Sequence, residues 1–459
     1  MRLKTTDLRA RVNAPLVLRF KASGLTSYAG LELIRRYWDR LGLAGLIRDQ
    51  VAARLPGTDY GATPLILLLL TLIIVGGRRL AHLAWLERDP LVLRICGLAR
   101  IPTARSVGRW LEKIRMRDLG GLVSLNEKVV AEAIRTSGIC RLTIDVDGSV
   151  VSTGLTVEGA RRGYNPHDRK APSYYPITAH EAQTGQFLRV QNRSGNVHDG
   201  KASIGFLRSL FGQIRRSFGD SLAIEFRMDG AFFRRDVIDL LHKHGAEYAI
   251  KVPFYHWVGL KPLIAARKRW TRVNSTVDCF EKKLDVSDWG RKMRVVIYRR
   301  RVRHEAPKNY QLDLFDPADG HYEYSAVVTN KDLTGAYLWY FQCGRGSHEK
   351  AYAELKGGFA FDCLPSRRYA ANSAWQMLSV LAFNLMRSMQ VATTATRRTP
   401  NRKRSVLFRF ASIQTLRYQF VGRAGIVVKP GGRATLDVGN TPKVVAVFRE
   451  LAQTLARAA

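Results

Sequence analysis

The chain has 459 residues, 46% of them hydrophobic and 24% charged, which is apolar material enough for two or three packed domains and excludes wholesale disorder. Lys and Arg number 74 against 38 for Asp and Glu, a net charge of +36, and the excess runs along the whole chain rather than sitting in a tail. A ribosomal or merely basic protein and a membrane-surface protein fit that balance less well than one that works on nucleic acid, where each phosphate neutralised releases condensed counterions.

Five cysteines without a CxxC pair argue for neither a disulfide framework nor a zinc site, and they fit a reducing cytoplasm. The start, MRLKTTDLRARVNAP, lacks the apolar core of a secretory signal. A cytoplasmic protein with no membrane partner is the expectation.

Residues 1–135 read as a helical, basic DNA-binding domain. LELIRRYWDRLGLAGLI spaces its apolar residues at helical intervals, and SVGRWLEKI is a candidate recognition helix. The run PLILLLLTLIIV is too short to cross a bilayer, which takes about 20 apolar residues, so a buried helix is predicted there.

The pattern changes near Cys140. CRLTIDVDGS is a short apolar strand that ends in acid, and YYPITAHE and QFLRVQ flank a turn as a hairpin. A helical stretch, GKASIGFLRSLFGQIRRSF, leads to LAIEFRMDG, FFRRDVIDLLHKHG and AEYAIKV. The order of three strands, helix, strand, helix, strand is that of a ribonuclease H-like α/β fold, a mixed sheet flanked by helices. In such a sheet the first and fourth strands lie side by side and parallel, so acids at their C-terminal ends meet at one edge.

Between 253 and 335, strand-like segments TRVNSTVDCFEKKLDV, RKMRVVIYRRRV and YEYSAVVTN suggest a β-rich insertion that divides the catalytic domain into 136–252 and 336–395. Trp257, Trp270 and Trp289 in or beside it could stack on an unpaired base, though core packing is the commoner use of such residues. A helix is predicted over GRGSHEKAYAELK and a second, core helix over YAANSAWQMLSVLAFNLMRSMQV. A basic region, 396–459, opens with a polar linker and closes with strand-like and helical stretches.

Three acids in this basic chain stand where phosphoryl transfer would need them. Magnesium takes hard oxygen ligands, and two ions about 4 Å apart can activate an attacking oxygen and stabilise a leaving one. Asp147 closes the first strand and is favoured over Asp145, which shares its face but lies deeper in the strand. Asp229 closes LAIEFRMDG, where capping of the following helix is the competing role. With Ser347 as helix cap, Glu349 and Lys356 share a face, whereas Glu354 is rotated by about 140°.

IDVDGS, RMDGAFF, VVTN and RGSHEKAYAELK together resemble the DDE transposases of bacterial insertion sequences, in the branch with a Tyr, Arg, Glu, Lys signature around the third acid. GYNP and RSGNVHDG are similar to that family as well. The resemblance spans roughly residues 140–390. It implies catalytic, metal-binding Asp147, Asp229 and Glu349 with two Mg2+ or Mn2+ ions, and Arg345 and Lys356 on DNA phosphates. Arg161 and Arg162, in the basic loop, are expected to bind DNA too. Gln342 stands where the signature has Tyr, and the nearest tyrosine is Tyr340. Asp145, His348 and Tyr340 stand as supporting residues or alternatives, and His198 ranks lower.

The implied activity is cut-and-paste transposition: water cleaves a phosphodiester at the element's end, and the freed 3′-hydroxyl then attacks a second phosphodiester. Terminal inverted repeats and target DNA are the expected partners, with a homodimer in the synaptic complex. A ribonuclease H-like nuclease or resolvase without strand transfer, and an inactive transposase-derived DNA-binding protein, are the alternatives.

Overall fold

The computed structural model describes all residues except 1–3, 8–15, 21, 164–167, 169, 198, 287–288, 303–321, 395–407 and 458–459. His198 and most of the GYNP motif therefore fall outside the described residues, as does most of the polar linker that opens the C-terminal region.

A nine-stranded mixed sheet organises the chain. In chain order its strands are β1 (Arg141–Gly148), β2 (Ile177–Glu181), β3 (Gln186–Gln191), β4 (Ala223–Met228) and β5 (Glu247–Lys251), then β6 (Thr271–Arg272), β7 (Val277–Val286), β8 (Arg291–Arg301) and β9 (Tyr322–Thr329). Across the sheet they run β3-β2-β1-β4-β5-β9-β8-β7-β6. The β1–β2–β3 hairpins are antiparallel, whereas β4 joins β1 and β5 joins β4 in parallel. This is the ribonuclease H-like order.

The parallel joins need crossovers, which helices α7 (Asp199–Phe218) and α8 (Arg235–Lys243) supply. Their apolar residues Phe206, Leu207, Leu210, Val237 and Leu241 pack with Leu142, Ile144 and Val146 of β1 in one core. Alternation along β1 turns Thr143, Asp145 and Asp147 to the opposite face.

Segment 253–335 contributes β6 to β9, and β9 pairs antiparallel with β5. These strands extend the same sheet edge-on rather than forming a separate one. Helix α9 (Gly335–Cys343) covers one of their faces through Leu338, packed with Val277, Val296 and Val327.

The N-terminal helices α1 (Leu31–Arg40), α2 (Leu43–Gln50), α3 (Ala62–Ile74), α4 (Pro90–Cys96), α5 (Ala104–Lys113) and α6 (Gly120–Ser137) share a second core with α10 (Gly346–Phe359) and α11 (Tyr369–Thr393). Helix α3 is buried at every position from Leu65 to Ile74, so its apolar run is interior packing. Among the described residues no helix is long and apolar enough to cross a membrane. Helix α5, the candidate recognition helix, buries Val107, Trp110 and Leu111 and leaves Arg105 and Arg109 at least partly exposed.

The last part of the chain returns to the first. A hairpin of Gly425–Val428 and Thr435–Val438 adds to Leu25–Thr26, and helix α12 (Pro442–Arg457) follows.

Candidate active site

The parallel pairing of β1 and β4 runs from Arg141 opposite Ala223 to Asp145 opposite Arg227. Two residues further along each strand, at the same level, come Asp147 and Asp229. Register therefore brings these acids side by side at the C-terminal ends of neighbouring strands, the edge where α/β sheets keep their sites.

Asp147 accepts a hydrogen bond from the Gly148 amide at 2.9 Å and one from Arg345 Nη2 at 2.6 Å. Burial pushes its carboxyl up to about 7, against the pull of Arg345, with the negative charges of Asp229 and Asp199 adding to the rise. The Asp229 carboxyl is raised too, by burial first and also by Asp199, while Arg345 again opposes. Asp229 Oδ1 accepts from the Ala231 amide at 3.0 Å, so capping of the short 3-10 turn after it and membership of the acidic pair coexist.

Asp145 has a different environment. Fully buried, it receives both ends of the Arg227 guanidinium, Nε at 2.6 Å and Nη2 at 2.7 Å. Arg227 Nη1 in turn donates to the Phe341 carbonyl at 3.1 Å. A Cβ on Gly344 would lie 2.0 Å from that same Nη1, so the missing side chain there leaves the arginine its place beneath the turn into α10. Gln342, at the signature's tyrosine position, donates Nε2 to the Met228 carbonyl at 3.2 Å and so pins this turn to the end of β4. Tyr340 is half-buried on α9.

Helix α10 begins at Gly346, with Arg345 at its N-cap position. Ser347, expected as the cap, instead lies in the first turn with its Oγ buried and unpartnered among the described residues. The phase of the helix separates its two acids. Glu349 is exposed on the first turn, about 6 Å along the axis from Arg345. Glu354 faces away and holds Arg387 Nη2 at 3.0 Å. His348, between Arg345 and Glu349, is buried, stacks on His180 with ring centroids 5.2 Å apart and bonds Thr178 Oγ1 at 2.9 Å, and burial holds its pKa well below the usual value.

Lys356 Nζ bonds Ser149 Oγ at 2.5 Å and the Val150 carbonyl at 2.8 Å, tying α10 to the chain just beyond Asp147. Arg161 and Arg162 are exposed on the loop that follows. Of the three tryptophans, Trp270 packs against Phe280 at 4.7 Å beneath Arg299. Trp257 is 53% exposed and lines, with Tyr255, Trp289, Phe233 and Arg234, a groove of about 670 Å³ that opens beside Gly230, the residue after Asp229.

Sequence reasoning missed Asp199. It lies buried at the start of α7, paired with Arg193, and acts on both Asp147 and Asp229. The signal was available in RSGNVHDG, an acid set among glycines just before a long helix.

Among the described residues no three acids, His or Cys already converge on one metal-sized point. The donor chemistry nonetheless suits a hard divalent cation. The aligned groups are carboxylates, burial first and then the negative charges around them raise their pKa, and Arg345 is the largest attractive charge on both.

Acids paired at parallel strand ends of a ribonuclease H-like sheet, with an acid-bearing helix bound to one of them, mark a metal-dependent phosphoryl-transfer enzyme. The chain belongs to the transposase DDE domain group 1 family, whose model matches residues 8–459. It is a DNA transposase, an enzyme that cuts and joins DNA strands, and DDE transposases generally use divalent metal ions. Membership favours neither a nuclease without strand transfer nor an inactive DNA-binding derivative. Among solved structures the chain is similar to one in a piggyBac transposase synaptic complex with hairpin DNA, determined by cryo-electron microscopy. That match has 9% identity and a TM-score of 0.45, and covers 95% of this chain and 88% of the other. No curated protein matches it significantly.

Proposed function

We propose that the chain is the transposase of a bacterial insertion sequence and that Asp147, Asp229 and Glu349 hold two Mg2+ or Mn2+ ions. The in-register placement of Asp147 and Asp229 at the ends of parallel neighbours carries this reading. Glu349 joins them from α10, whose N-cap residue Arg345 is bound to Asp147.

The chemistry supplied by ions held there is two-metal phosphoryl transfer, in which the attacking oxygen is activated and the leaving oxygen stabilised. The chain's own residues orient the DNA. Arg345, leaving Asp147 when the acids gain another counter-ion, takes a phosphate near the transposon end. Lys356, beside Ser149, and the exposed Arg161 and Arg162 bind the backbone on the same side, fixing its position without reading sequence. First water and then the freed 3′-hydroxyl attack in line, so one site serves both steps. The arginines of α5 contact terminal inverted repeats, a homodimer joins two ends, and the work is done on DNA in the bacterial cytoplasm.

The test is cleavage of labelled terminal-repeat DNA in Mg2+. Asp147→Ala, Asp229→Ala and Glu349→Ala should each abolish cleavage and leave repeat binding intact. Wild-type cleavage by the Asp229 variant would overturn the assignment. A cut end that never joins a target plasmid would overturn strand transfer.

A further inference from the structure

The acid that the DDE reading leaves without a role is Asp199, and the backbone around it fixes where its carboxylate sits. A Cβ built on Gly148, the residue after Asp147, would lie 2.7 Å from Asp199 Oδ1. One built on Gly200 would lie 2.3 Å from the carbonyl oxygen of Ala231, two residues after Asp229. Gly200 thus permits a closeness to backbone that any side chain would forbid, and Gly148 leaves the space that the Asp199 carboxylate and the Tyr175 ring fill. The start of α7 is wedged between the two strand ends, with the Asp199 carboxylate against the first of them.

That carboxylate is also held rigidly. Arg193, 5% exposed, pairs with it through Nη2 and anchors itself by donating Nε to the Tyr175 carbonyl at 3.0 Å. Tyr175 borders the same spot, since a Cβ on Gly148 would meet its ring at 2.5 Å, and after burial the charge of Asp199 is what raises its hydroxyl's pKa most. A buried Asp–Arg pair could be purely structural. Here it stands where two other carboxylates already lie together, and its negative charge acts on both. A packing role alone gains nothing from that position, whereas a cation at Asp147 and Asp229 gains a third carboxylate beside it, with the compensating Arg193 guanidinium on that carboxylate.

We propose that Asp199 is a positioning residue of the catalytic centre, held by Arg193 so that its carboxylate strengthens divalent-cation binding at Asp147 and Asp229. The inference rests on the assignment of those two acids as metal ligands. It does not need the three carboxylates to converge on one point, because groups just outside a metal's ligands act through hydrogen bonds and charge rather than by direct ligation.

Mn2+ binding to the full chain without DNA, followed by the paramagnetic resonance signal of free Mn2+, tests it apart from catalysis. Asp199→Asn should weaken binding by about 10-fold or more, the scale usual for partners just outside a metal's ligands. Its metal-free melting is recorded alongside, and Arg193→Gln combined with Asp199→Asn removes the buried charge pair together should the single variant unfold. Mn2+ affinity equal to wild type in a folded Asp199→Asn or double variant would overturn the proposal. Asp147→Asn separates the two levels: if it too binds Mn2+ like wild type, the ligand assignment itself has failed. If only Asp147→Asn loses binding, the assignment stands and the role of Asp199 falls.

Discussion

Arg345 Nη2 donates to Asp147 Oδ2 at 2.6 Å, so the residue at the head of α10 closes directly on the acid at the end of β1. Charge-assisted bonds of this kind contribute about 1.5–3 kcal/mol. Arg345→Ala should therefore lower metal-free stability by about that amount in urea melts. Added Mg2+ should narrow the gap between variant and wild type, because a bound cation takes over the neutralisation of Asp147. A gap that stays unchanged in Mg2+ would show that the arginine and the cation do not share a site.

The two glutamates of α10 should separate stability from chemistry. Glu354 is the counter-ion of buried Arg387 and also accepts from the Ile413 amide. Glu354→Gln leaves that arginine unpaired and should cost about 3–5 kcal/mol. Glu349→Gln, at an exposed position, should change stability by less than about 0.5 kcal/mol yet eliminate DNA cleavage. Thermal melts beside a cleavage assay check both, and the reverse pattern would exchange their roles.

Asp145 should behave like Glu354 rather than like Asp147. Its carboxylate compensates buried Arg227, which also secures the turn into α10 through the Phe341 carbonyl. Asp145→Asn should lose about 3–5 kcal/mol of stability in the absence of metal. Asp147→Asn, which relieves repulsion with its neighbours, should melt at or above the wild-type temperature. Circular dichroism melts in chelator distinguish the two.

Trp257 offers a surface test. At 53% exposure beside the groove next to Asp229, it should tolerate Trp257→Ala with little loss of fold stability. If bases stack there, affinity for DNA with unpaired bases near the cleavage point should fall by about 1–3 kcal/mol. Fluorescence titration of fully paired and of unpaired-end duplexes checks this, and equal losses on both would argue against stacking. Trp270→Ala, by contrast, should chiefly destabilise the β6 to β9 part of the sheet, because that ring is packed against Phe280.

The order of strands and helices around Asp147 and Asp229 was legible because it is written locally. Alternation marks β1, glycine and acid end β4, and apolar spacing marks α7 and α8. The membership of β6 to β9 in the same sheet was not, because an inserted strand looks the same whether it pairs with its own neighbours or with β5. Nor could the linear pattern show that the N-terminal helices share a core with α10 and α11, since burial of α3 does not name what buries it.

By itself the sequence picked out the candidate residues. It shows a strongly basic chain with acids ending two apolar strands and a third acid in phase with Lys356. Only the tertiary structure decided how they are arranged. It gave Asp145 to Arg227 and Glu354 to Arg387, and set Asp199 against Gly148. The physical reason is that a carboxylate's role depends on the charges and the dielectric around it, which come from segments distant in the chain. Residue type and spacing specify the group, and packing alone specifies its partner.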